Sequence, residues 1–156
     1  MNTNRRSFLK TSATAGAVSV AVSAGLLTPR AVLAAWPKNA FEAKDVNSAL
    51  TAAMGDTTLT DSGDINLKAP DIAENGAVVP ITVTSTIPGT ESISILIPNN
   101  ATPLAASFTL SSNTEGYVST RVKMGKTSDV VAVVKAGGKL YSSKKEVKVT
   151  IGGCGG

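Results

Sequence analysis

A chain of 156 residues with one cysteine and no histidine excludes a Cys–His catalytic pair, histidine metal ligation, an internal disulfide and a Cys-x-x-Cys redox motif. Its 15 Lys and Arg against 11 Asp and Glu give a net charge of +4, which would ordinarily favour nucleic acid or an anionic membrane. Four of those bases, Arg5, Arg6, Lys10 and Arg30, lie in the first 35 residues without an acid, so the remainder balances at 11 against 11 and nucleic acid is excluded as a partner.

Asn4-Arg5-Arg6-Ser7-Phe8-Leu9-Lys10, followed by an Ala-rich apolar stretch from Ala13 to Leu27, reads as a twin-arginine export signal, whose pathway carries folded proteins. The stretch is interrupted by Gly16, Ser19, Ser23 and Gly25 and is shorter than the roughly 20 apolar residues of a membrane span, so no membrane anchor is expected. Small residues at Ala31 to Ala35 place cleavage after Ala34 or Ala35. Residues 1–35 are therefore expected to be a removed signal peptide and the protein to be periplasmic. Residues 36–151 are long enough for one domain without a disulfide or metal staple.

After Pro37, Asn39 is expected to cap one short helix from Phe41 to Met54, with Val46, Ala49, Leu50, Ala53 and Met54 on one face and Gly55 ending it. From Ile65 onward the period changes to two. Strands are expected over Val78–Ile87, Ser92–Ile97, Ser107–Leu110, Tyr117–Met124, Val130–Lys135, Lys139–Ser142 and Val147–Ile151. Pro88-Gly89 is read as a turn and Gly137-Gly138 as a hairpin. About seven strands separated by turn residues suit a mainly β, immunoglobulin-like antiparallel sandwich. Pro80 lacks an N–H, which predicts an edge or a bulge in its strand.

The last strand pattern stops at Ile151 and gives way to Gly152-Gly153-Cys154-Gly155-Gly156. Four glycines remove every side chain around the cysteine and leave the backbone the widest conformational freedom, so residues 152–156 are expected to form a flexible arm. A catalytic cysteine needs a fixed position, a neighbouring base and aimed donors, none of which this tail supplies. The thiol reads as a carrier's attachment point, with no catalytic residue, metal or cofactor expected. In the competing reading from another class, an exported structural or adhesion-type sandwich dimerises through a Cys154 disulfide.

Two further segments have bland explanations. Ala69 to Gly76 reads as a loop before a strand, with Asn75-Gly76 tolerating positive φ. Arg121-Val122-Lys123-Met124 reads as a solvated strand face. The C-terminal half is basic, with eight bases and three acids over residues 101–156; an anionic substrate or acidic partner would be favoured if Lys144, Lys145 and Lys148 shared a face.

With these residues in view, the chain resembles the SoxY family of the periplasmic Sox thiosulfate-oxidising system. The resemblance rests on the Gly-Gly-Cys-Gly-Gly tail, the twin-arginine leader, Ile72-Ala73-Glu74-Asn75-Gly76 with Val79-Pro80, the Arg121–Met124 strand and the Val147–Ile151 lead-in. It implies a non-catalytic carrier of the SoxYZ complex, paired as a heterodimer with a SoxZ-like subunit. Thiosulfate-derived S-thiosulfonate and persulfide species would be held on Cys154. The implied enzymes are the haem-containing SoxXA, the hydrolase SoxB and, where present, the sulfane dehydrogenase SoxCD.

Overall fold

The computed structural model describes residues 37–150; the expected signal peptide and the Gly152–Gly156 arm with Cys154 lie outside the described residues. Where one helix was expected there are two: α1 (Lys38–Glu42) and α2 (Val46–Met54). The chain leaves the helical region at Ala43, with ψ 142°. It restarts at Asp45, whose side chain accepts a hydrogen bond from the Ser48 N–H at 2.9 Å. Asp45, not Asn39, is thus the helix cap. Gly55 ends α2 as expected, in the left-handed region at φ 84°, with its N–H donating to the Thr51 carbonyl.

Nine strands follow: β1 (Leu59–Asp61), β2 (Ile65–Lys68), β3 (Ile72–Ala73), β4 (Val79–Ser85), β5 (Thr90–Leu96), β6 (Leu104–Thr109), β7 (Gly116–Val122), β8 (Ser128–Ala136) and β9 (Lys139–Val149). They form two sheets. The larger has the order β1-β9-β8-β5-β6, with β3 also paired to β9, and the smaller has the order β2-β4-β7. This is the expected immunoglobulin-like sandwich, with two short parallel additions, β1 and β3, on successive stretches of β9. The expected strand Lys139–Ser142 and the first part of the expected strand Val147–Ile151 belong to one strand, β9, which ends at Val149, because β8 pairs with it without interruption from Ala136↔Lys139 to Ser128↔Val147. Gly137 and Gly138, at φ 56° and 75°, make the tight turn between them, as a two-residue loop with both residues at positive φ should.

The alternation along the strands sorts their side chains into two cores. Ile93, Ile95, Val130, Ala132, Val134 and Val147 of the larger sheet, with Ile97 just past β5, meet Ile65, Val79, Ile81, Val83, Val118 and Val122 of the smaller one. On the opposite face of the larger sheet, Leu96, Leu104, Val133 and Leu140 pack on Ala40, Ala49, Leu50 and Met54 of the helices. The larger sheet is thus apolar on both faces where the helices cover it, which explains why β8 reads as a nearly continuous run of valine and alanine. Pro88-Gly89 connects the two sheets and does not close a hairpin, since β4 and β5 lie in different sheets. Pro80 sits opposite Arg121 of β7, while β2 reaches only Thr82 to Ser85. At Pro80 the strand is therefore locally an edge.

Candidate functional site: the root of the C-terminal arm

The described chain ends at Thr150, four residues before Cys154. Its last residues are gripped from both sides. Lys148 N–H donates to the Asp71 carbonyl at 3.0 Å and Thr150 N–H to the Ala73 carbonyl at 3.2 Å, while Val149 N–H, pointing the other way, donates to Thr127 Oγ1 at 3.0 Å. The β8 ladder stops at Val147, so beyond it the grip passes to β3 and to a side chain. Every backbone donor from Lys148 to Thr150 is satisfied, as the end of an otherwise exposed strand requires.

The gripping segment is the stretch that the sequence presented as an ordinary loop. Asn75 Oδ1 accepts from the Ala77 N–H at 2.9 Å, closing an Asx turn within the expected loop. Gly76, however, does not have positive φ. Glycine is needed there for close approach, because a Cβ would fall on the Met124 carbonyl oxygen and 2.8 Å from Val149 Cγ1. Met124 N–H in turn donates to the Gly76 carbonyl at 2.7 Å. The 69–76 segment, the end of β7 and the end of β9 are thereby locked together.

Lys144, Lys145 and Lys148 of β9 do not share a face. Lys144 and Lys148 are exposed beside Glu146, which stands opposite Asp129 on β8. Lys145 points to the other side, where its Nζ lies 2.9 Å from Asp71 Oδ1 and donates to the Ala69 carbonyl at 2.6 Å. It is a strut holding the β3 segment to β9. The Arg121–Met124 stretch alternates in the same way, with Arg121 and Lys123 exposed and Met124 buried.

Sequence reasoning missed the loop beside this root. Asn99 Nδ2 donates to the Thr127 carbonyl at 2.9 Å, and Asn100 Nδ2 to the Lys123 carbonyl at 2.7 Å, while Asn100 Oδ1 accepts from the Gly125 N–H at 3.0 Å. Two asparagines thus fix the 123–127 loop that presents Thr127 to Val149. On this loop two adjoining open depressions, of about 390 and 540 Å³, share Asn100, Ala101 and Gly125. Lys123 lines one and Lys126 the other, and no acid lines either. The Asn99-Asn100 pair was the available signal, but only the fold shows which carbonyls it meets. Among the described residues no group of His, Cys, Asp or Glu could hold a metal ion, and no helix is long and apolar enough to cross a membrane.

No curated protein matches the chain. Among solved structures it is similar to the sulfur carrier protein SoxY from Chlorobium limicola f thiosulfatophilum, with 50% identity over 66% of this chain and 94% of that one, at a TM-score of 0.60. A superoxide reductase (neelaredoxin) from Ignicoccus hospitalis is 16% identical over 55% of this chain and 80% of that one, at a TM-score of 0.49, too distant to bear on function. The family model described as sulfur oxidation protein SoxY matches residues 50–154, a span that covers the sandwich from α2 and ends on Cys154. The chain therefore belongs to the SoxY family.

Proposed function

We propose that this protein is a non-catalytic carrier for sulfur oxidation, holding sulfur intermediates covalently on Cys154 and presenting them to partner enzymes. The observation that carries this reading is the abrupt contrast at Thr150: a strand gripped by hydrogen bonds through its last described residue, followed by a sequence in which Cys154 is the only residue with a side chain after Ile151. The four residues from Thr150 to Cys154 span at most about 14 Å when extended. The glycines on both sides of Cys154 carry no side chains, so this part of the tail could enter a cleft that a normal peptide could not.

The chemistry follows the sulfur. Oxidative joining of thiosulfate to the Cys154 thiol forms one S–S bond, giving an S-thiosulfonate with release of a proton and two electrons to a haem enzyme of the SoxXA kind. Hydrolysis of the S–S bond to the sulfonate sulfur by a SoxB-like hydrolase delivers sulfate and leaves a persulfide. A sulfane dehydrogenase of the SoxCD kind, where present, oxidises that persulfide further. The protein supplies the thiol and its placement, and the partners supply the catalysis.

The reading includes a SoxZ-like partner in a heterodimer, export to the periplasm by the twin-arginine leader in residues 1–35, and Gly152, Gly153, Gly155 and Gly156 as the arm around Cys154. In a reconstituted thiosulfate-oxidising system Cys154→Ser should abolish turnover, while the melting temperature and pairing with the SoxZ-like subunit stay unchanged. Turnover retained by the serine variant would reject the carrier role.

A further inference from the structure

Asn75-Gly76 is the one Asn-Gly pair in the sequence, and it lies where the 69–76 segment is locked to the ends of β7 and β9. We propose that it is a modification site: the Asn75 side chain closes on the Gly76 nitrogen, ammonia leaves, and the isoaspartate formed by hydrolysis loosens that lock. The inference needs neither cargo nor partner and goes beyond the carrier reading.

The fold calls for both residues and in doing so sets up the reaction. Asn75 supplies the Oδ1 that accepts from the Ala77 N–H at 2.9 Å, so its amide carbon and the Gly76 nitrogen belong to one hydrogen-bonded ring. The same donor polarises the amide and stabilises the negative charge that develops on Oδ1 when a nucleophile adds to the carbon. Gly76 is there because a Cβ would meet Met124 and Val149, and the missing Cβ also leaves its nitrogen unshielded. Asn75 is exposed, so base and water reach it. Other asparagines lack this combination. Asn99 and Asn100 are held through Nδ2 by the Thr127 and Lys123 carbonyls and precede Asn and Ala, while Asn66 and Asn113 precede the bulkier Leu67 and Thr114.

The step consumes only water. A base takes the Gly76 N–H proton as the nitrogen bonds to Asn75 Cγ; the Cγ–Nδ2 bond then breaks and ammonia departs with a proton, leaving a cyclic succinimide. Water opens the ring. Cleavage of the new Cγ–N bond gives aspartate, whereas cleavage at the original main-chain carbonyl gives isoaspartate, whose chain runs through Cβ and Cγ and is longer by a methylene. In that product the former Oδ1 is the peptide oxygen and no longer closes the turn. The Asn75 carbonyl, which accepts from the Val78 N–H at 3.2 Å, becomes a free carboxylate. Gly76 is packed too closely against Met124 and Val149 to absorb the added length, so the 2.7 Å bond from the Met124 N–H to its carbonyl gives way.

The test ages the folded full chain, kept reduced, at mildly alkaline pH and follows each asparagine by peptide mapping, with isoaspartyl methyltransferase labelling to detect the isoaspartate. Conversion at Asn75 should outpace every other asparagine by about tenfold or more, as a barrier lower by about 1.4 kcal/mol implies. The isoaspartyl form gains a negative charge and separates by ion exchange. In it, amide exchange at Met124 and Thr150 should accelerate about three- to tenfold, the range for loss of one net hydrogen bond, while Leu140 keeps its rate. Asn75→Ser retains an oxygen that can accept from the Ala77 N–H but cannot cyclise, so ageing should leave its exchange unchanged. Asn75 left intact in the folded chain while a guanidinium-unfolded sample converts would overturn the site. Unchanged exchange at Met124 in the isoaspartyl form, or acceleration by the same factor at Leu140, would overturn the local loosening. The Cys154→Ser turnover result is independent of all these outcomes.

Discussion

The two ends of β9 are held in different ways. At its start, Leu140 is sealed under α2 with Leu50, Leu96 and Val133, and Leu140 to Ser142 lie within the sheet, with β8 on one side and β1 on the other. At its finish no helix covers the strand, and apolar burial is confined to the face of Val147 and Val149, which pack on the sandwich core with Ala73. Lys148 and Thr150 are exposed and the strand is kept in place by β3, by Thr127 and by the Lys145 strut. Apolar burial on both faces holds one end, while at the other directional hydrogen bonds around a glycine supplement burial on one face. The first secures the body. The second fixes Thr150, the last described residue before the glycine-flanked Cys154 in sequence.

Substitutions at the two ends should separate these roles. Leu140→Ala, at a site only 2% exposed, should cost about 2–5 kcal/mol of global stability, read by thermal or denaturant unfolding. Gly76→Ala should cost less, about 1–3 kcal/mol, because the added methyl must displace the Met124 carbonyl or Val149. Its distinguishing mark is local: amide exchange at Val149 and Thr150 should accelerate more than at Leu140. Equal acceleration along the whole of β9 would mean that the two ends are one cooperative unit. Lys145→Gln comes next. Its partner Asp71 is 88% exposed and the lysine itself 37%, so the loss should stay below about 1 kcal/mol, again concentrated at β3 and Thr150.

Which of these features could be read in advance follows from how local they are. The strands β4 and β5 show in the alternation of Ile81, Val83, Ile93 and Ile95, Gly55 shows as a helix stop, and Gly137-Gly138 as a hairpin, since each is set by neighbours in sequence. The strands β1 and β3, of three and two residues, are too short to show a period; they exist because β9 offers them an unpaired edge. The run Lys144-Lys145-Glu146 suggested a gap within what is a continuous strand, because the Asp71 partner of Lys145 lies 74 residues earlier in the chain. Gly76 was read as an ordinary turn glycine tolerating positive φ, whereas the fold needs it for close approach to Met124 and Val149. Cys154 stood out because of its isolation and glycine flanks, whereas the grip on Thr150 needed three distant segments to be brought together.

Acid should act on the helix-covered end at the smallest amplitude of the series. The Ser48 backbone N–H, with a further contribution from its hydroxyl, holds the Asp45 carboxyl below its ordinary value of 3.8. The Thr58 and Thr57 N–H groups do the same for Asp56 just after α2. A carboxyl with a depressed folded-state pKa stabilises the fold above its unfolded value and loses that contribution as the pH falls through the folded one. The window therefore lies below pH 3.8, and the group's full exposure keeps the effect small. Amides in the first turn of α2 should lose protection there in the wild type. Asp45→Asn keeps a capping oxygen but cannot titrate, so its first turn should respond to acid less steeply. An equally steep response in the asparagine variant would show that the acid sensitivity of this end arises from a group other than its cap.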